Sequence, residues 1–382
     1  MLNRSIPPEF VPINDINLKQ ADSRVLKNGI KVHSINAGGQ PILNLQLIFK
    51  AGKWYEKKQG SALLLSKLML EGSKKFDASE ISYFFDKHGI FWEIGSGTDH
   101  ITIDIYLLSK YVHKISAIIV DLLSNALLPL SEFQTIKKRL AQQLLVNLQK
   151  TSFKASTLFK ESLFGKEHPY GYALTNEILK NLIHSDVLEY YNNFIKEQPF
   201  EVIASGNIDQ KLINQITAAF ANLPLQKEKN IVGRNHKKNE IDKTPKSFYD
   251  HREGNVQTSV RIGFEFQKRN HPDAIKIEVL NRILGGYFGS RLMKNLREEK
   301  GYTYGIHSSL VYAKQAGYFC ISTDVIKEKR NEAVDEIHKE IEKLRNEAVS
   351  EEELALVKNY IIGNFIKGIN SPFSLTEHFK TT

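Results

Sequence analysis

Residues 285–305 hold the side chains best suited to polar chemistry: Gly285-Gly286-Tyr287-Phe288-Gly289-Ser290-Arg291-Leu292-Met293-Lys294-Asn295-Leu296-Arg297-Glu298-Glu299-Lys300-Gly301-Tyr302-Thr303-Tyr304-Gly305. Arg297 brings a fork of N–H donors on a short helix, and Tyr304 a phenolic O–H at the start of a strand. Spacing alone leaves Arg297 a solvated or ion-paired cation and Tyr304 an ordinary strand aromatic. The Gly-Gly-x-x-Gly run of Gly285, Gly286 and Gly289 lacks the Lys-Ser/Thr of a phosphate loop and follows no strand, so it is expected to be a flexible loop. His168, in His168-Pro169-Tyr170-Gly171, has no nucleophile or second base nearby in sequence, which favours a turn or capping role. No Ser-His-Asp or Cys-His pattern is present. The closest histidines, His88 and His100, are twelve residues apart, so no helix can offer two imidazoles at i, i+4 to one metal. One cysteine excludes a Cys-rich metal site; Cys320, in a strand-like run, reads as a small core residue.

The elements that would position these groups repeat at a long period. Residues 43–49 alternate like a strand and a helix follows from Gly60; residues 258–264 do the same before a helix over 273–284. Ile101, Ile103 and Ile105 mark a half-buried strand, followed by an amphipathic helix over 112–127; the counterparts are a strand over 319–326 and a helix over 330–344. Ser131 and Ser350 are the expected helix N-caps, 219 residues apart. Phe153 and Phe373 follow at a separation of 220. The first copy continues through a helix over 158–164, a helix over 186–194, a strand over 200–204 and a helix over 210–223. The second copy is expected to be incomplete, without that closing strand and helix. The fold class is therefore α+β: two related units, each a mixed or antiparallel sheet covered by helices. The expected units are 1–223 and 247–382, joined by a linker over 224–246 that is rich in lysine.

Three motifs, in this order and spacing, resemble the pitrilysin/insulinase family of zinc peptidases: the 60–73 frame, His168-Pro169-Tyr170-Gly171, and 285–305. The resemblance runs from Arg24 to the end. The family's zinc helix reads His-x-x-Glu-His. Here Gly60-Ser61-Ala62-Leu63-Leu64-Leu65-Ser66-Lys67-Leu68-Met69-Leu70-Glu71-Gly72-Ser73 places Leu63, Ser66 and Lys67 at the first His, the Glu and the second His. A third ligand would fall near Gln142 and Gln143. The chain thus resembles the non-catalytic subunit of a split enzyme. The resemblance implies no metal in this chain, zinc in a homologous partner subunit, and a chamber shared by the two. There Tyr304 would donate to the reacting carbonyl oxygen and Arg297 would hold an extended peptide in register, while the partner's metal activates water. A homodimer would remain possible without the partner. The alternative is an inert scaffold or peptide-binding core subunit.

Composition sets the remaining expectations. A chain of 382 residues calls for two cores. The net charge of +9 comes without any nucleic-acid-binding motif, so it reads as a lysine-rich solvated surface. No apolar run approaches the roughly 18 residues of a membrane span. The first ten residues lack the hydrophobic core of a secretory signal, so a cytoplasmic location is expected.

Overall fold

The computed structural model describes residues 16–225, 246–251, 253–266 and 269–381; positions 226–245 of the expected linker lie outside them. The first unit contains β1 (Asp22–Val25), β2 (Lys31–Asn36), β3 (Ile42–Phe49), α1 (Ser61–Leu68), α2 (Ala78–His88), β4 (Phe91–Ser96) and β5 (Ile101–Leu108). It continues with α3 (Val112–Asn125), α4 (Leu130–Leu148), α5 (Thr151–Phe164), α6 (Asn176–Asn181), α7 (His184–Phe194), β6 (Glu201–Gly206) and α8 (Gln210–Ala221). The second holds β7 (Gln257–Phe266), α9 (Ala274–Gly285), a π-helical turn (Met293–Glu299), β8 (Thr303–Tyr312), β9 (Gly317–Ile326), α10 (Arg330–Asn346), α11 (Glu351–Gly368) and α12 (Pro372–Thr381).

The six strands of the first sheet run in the order β1-β2-β6-β3-β5-β4. Alternation along β5 buries Ile101, Ile103, Ile105 and Leu107 and leaves Thr102, Asp104 and Tyr106 half-buried on the opposite face. The central strand β3 pairs antiparallel with both β5 and β6 and is covered on both faces. Its apolar side meets α1, α3, α7 and α8 in one large core that includes Leu45, Leu47, Leu65, Ile119, Val187 and Phe220. The second sheet runs β7-β9-β8, repeating the β3-β5-β4 order. Its smaller core gathers Leu284, Leu292, Leu296, Ile306, Ile321, Val325 and Ile337. Among the described residues it has no counterpart of β6 or α8.

Each unit lends a helix to the other. α5 crosses to β7, where the Ser259 hydroxyl lies 2.9 Å from Thr151 Oγ1, Arg261 Nε donates to Ser156 Oγ (3.2 Å), and Phe159 packs edge-on against Tyr318. α12 crosses to the first sheet, where Gln46 donates to Glu377, Phe373 meets Tyr106 edge-on and Phe379 meets His33. The Phe153/Phe373 period in the sequence is therefore a period in space, since both residues lie on the exchanged helices.

Two local expectations fail. Ser350 caps α11 by accepting from Glu353 N, but Ser131 caps nothing: α4 starts one residue earlier, at Leu130, behind the extended Pro129. α5 also begins at Thr151, well before the expected 158, because its polar N-terminal residues are held by β7 instead of by apolar periodicity.

Candidate functional site

α1 is built for burial at its N-terminal end. Gly60 stands at φ 92°, a left-handed conformation suited to glycine, just before the first helical turn. Glu56, only 4% exposed, accepts from Gly60 N (3.1 Å), Ala62 N (2.8 Å) and the Tyr172 hydroxyl. Burial pushes its carboxyl up to about 7, even though these bonds and Lys53 pull the other way. Lys53 is itself lowered, chiefly by burial. Its carboxyl oxygens satisfy helix N–H groups that would otherwise be orphaned.

The zinc-ligand positions do not fit a cation. Ser66 is buried and its hydroxyl donates to Leu63 O (2.8 Å), Leu63 is half-buried, and Lys67 points to solvent. None of the three offers an imidazole or carboxylate. Gln142 and Gln143 are both exposed on α4. Among the described residues no three His, Cys, Asp or Glu side chains gather closely enough to hold a metal.

The 285–305 segment is more ordered than a flexible loop. Gly285 ends α9 and is buried; a Cβ there would stand 2.7 Å from Ser308 N, so glycine allows α9 to approach β8. This corrects the loop expectation for Gly285. Gly286 caps α9, and a Cβ at Gly289 would press on the Tyr287 ring at 2.8 Å. Arg291 then makes a two-pronged contact with Glu353 on α11, Nε to Oε1 at 3.0 Å and Nη2 to Oε2 at 2.7 Å. Asn295 Nδ2 donates to Glu336 and Glu340 on α10. These ties hold the π-helical turn, a wide winding that often accompanies functional sites. Arg297 leaves this turn half-buried, its guanidinium 4.6 Å above the exposed Phe288 ring.

Tyr304 sits on a β-bulge. β8 pairs Thr303 with Val325 and Ile306 with Thr323, so three steps on β8 face two on β9. The extra residue re-aims the side chain, and Tyr304 is 90% exposed. Thr303 anchors the bulge, its Oγ1 accepting from Gly305 N (3.0 Å) and donating to Asp324 O (2.8 Å).

Beside Tyr304 lies an open cavity of about 220 Å³ lined by Gln257, Arg261, His307, Ser322 and Asp324, among others. Arg261, Ser322 and His307 form one cross-sheet row, in register on β7, β9 and β8. The Arg261 side chain is 12% exposed, and its Nη1 is spent on the Val260 and Thr323 carbonyls. Tyr304 thus lines a polar cavity, whereas Arg297 stacks on Phe288 and does not line it. Sequence reasoning missed Arg291, Asn295 and Arg261. Arg291 and Asn295 lie within residues 285–305, but their partners on α10 and α11 are about 40 to 60 residues away, beyond any local pattern.

Comparison with known proteins matches the family model for insulinase (peptidase family M16) to residues 31–163 and the peptidase M16 inactive domain to residues 181–361. An uncharacterized zinc protease of Rickettsia bellii is 22% identical over 351 residues, covering 89% of this chain and 81% of that protein. A non-peptidase homolog of Helicobacter pylori is 23% identical, covering 85% and 75%. A crystal structure of a protease from Helicobacter pylori superposes with a TM-score of 0.86 at 19% identity, covering 95% of this chain and 89% of that one.

Proposed function

From the premise that the chain belongs to the insulinase (M16) peptidase family, we propose that it is the non-catalytic subunit of a two-chain zinc metallopeptidase. Its partner would be a homologous subunit with an intact His-x-x-Glu-His helix, and its substrate an extended peptide. One observation carries the reading: a bulge holds Tyr304 out beside a polar cavity while Leu63, Ser66 and Lys67 occupy the ligand positions. A phenol with no packing role suits donation to a substrate carbonyl oxygen. Arg297 supplies a second set of donors, and its guanidinium would leave Phe288 to reach peptide backbone. The peptide would add as a strand, held by main-chain hydrogen bonds.

The test is reconstitution. The purified chain is expected to hold well under one zinc per molecule by elemental analysis and to cut no peptide. Mixed with a zinc-helix homologue from the same cell, it is expected to restore cutting. Stoichiometric zinc in the isolated chain, or full activity of the partner alone, would overturn the proposal.

A second reading, an inert scaffold or peptide-binding core subunit, is favoured by one feature: Arg297 and Tyr304 do not share the cavity. Peptide binding that is unchanged by Tyr304→Phe, with no partner enhancing hydrolysis, would select it.

A further inference from the structure

The His168-Pro169-Tyr170-Gly171 motif plays no part in the function proposed above, yet it touches both units. Its turn is tight: a Cβ on Gly171 would stand 2.1 Å from Gly165 O, and His168 Nδ1 accepts from Tyr170 N at 3.2 Å. The turn seats the Tyr170 ring among Trp54, Phe164 and His168, with centroids 5.3–5.7 Å away. Those contacts leave the hydroxyl free to face the second unit. It donates to Asp99 Oδ1 (2.9 Å), in the turn between β4 and β5, and accepts from Gln315 N (3.0 Å), in the turn between β8 and β9. The other Asp99 oxygen accepts from Lys314 N at 3.1 Å.

We propose that Tyr170 and Asp99 form a clasp that locks the tip of the β8–β9 hairpin to the first unit and so positions Tyr304 at the hairpin's opposite end. β8 is ten residues long, so tip and bulge stand about 30 Å apart at ~3.3 Å per residue. The tip is held by the clasp, the edge strand β7 by α5, and the base by the Thr303 bonds. Between tip and bulge β8, the outer strand, stays paired with β9 and packed on α9, so a release of the tip is carried to the bulge by the hairpin shifting as one piece. Tyr170 is a positioning residue in this scheme. Its bearing on peptide binding rests on the role proposed for Tyr304, but the tests below need neither partner nor substrate.

Tyr170→Phe keeps the ring in its aromatic seat and removes both hydroxyl bonds. Native-state hydrogen exchange on the full chain is expected to show the Lys314 and Gln315 amides exchanging about fivefold faster, since a lost bond is worth roughly 1 kcal/mol, with β5 amides unchanged. Asp99→Ala, which removes the Lys314 acceptor directly, is expected to do the same. Fluorotyrosine placed at position 304 reads the far end: its ¹⁹F line is expected to shift or broaden in Tyr170→Phe. Unchanged exchange at Lys314 and Gln315 in both variants would overturn the clasp. Faster exchange with an unmoved ¹⁹F line would overturn the positioning role.

Discussion

Tyr304 owes its exposure to the backbone bulge and not to side-chain packing, which separates its chemistry from the fold. Tyr304→Phe is therefore expected to change unfolding free energy by less than about 0.5 kcal/mol, as surface changes usually do. In the reconstituted complex, loss of one donor to a developing oxyanion is expected to lower kcat by roughly 10²–10³. A rate matching wild type would remove Tyr304 from the reaction. Gly285→Ala is expected to behave oppositely. Its new Cβ meets Ser308 backbone at 2.7 Å, so it should cost about 1–3 kcal/mol in a denaturant titration while leaving the Tyr304 bulge chemistry in place. The sequence motif singles out Arg297 and Tyr304. It could not tell that Tyr304 projects while Arg297 stacks on Phe288, because a bulge and a π-helical turn are set by hydrogen-bond register with distant partners. Nor could three glycines reveal which one is buried by the approach of a helix to a strand.

At the scale of elements, Glu56 holds the N–H groups that open α1. The folded chain keeps a proton on Glu56 up to about pH 7, whereas the unfolded chain releases it near 4.5. The folded pKa lies above the unfolded one, so this group favours folding most below pH 4.5. It withdraws on the order of 3 kcal/mol as pH rises through about 7. Urea midpoints measured from pH 4.5 to 8 are expected to fall with pH for the native chain and to flatten for Glu56→Gln; parallel profiles would refute the assignment. At α11, Ser350→Ala removes the acceptor for Glu353 N and is expected to cost about 1 kcal/mol by the same titration. The central strands were legible from alternation, since β5 alternates strictly and β3 is apolar at every second position. Glu56 was not legible, because a lone carboxyl group five residues before a helix looks like any surface acid until the Tyr172 hydroxyl is brought to it from more than a hundred residues away.

The whole molecule divides its apolar burial unequally between a large first core and a small second one. Stability should divide the same way, because locally openable regions are those with few buried apolar contacts. Amides in β7–β9 are expected to exchange faster than those in β3–β5, as mapped by mass spectrometry; equal protection would show that the exchanged helices fuse the two cores into one cooperative unit. The duplication was readable as a numerical offset. What the offset meant in space was not, because α5 and α12 meet the opposite sheets partly through serine, threonine and glutamate, which leave little amphipathic signature.

That mutual loan of α5 and α12 says something about origin. A single ancestral module would have had one naked sheet face and one helix with nowhere to lie, and two copies could cure both faults only by embracing each other. The present chain therefore has the form of a swapped homodimer whose protomers have been tied end to end.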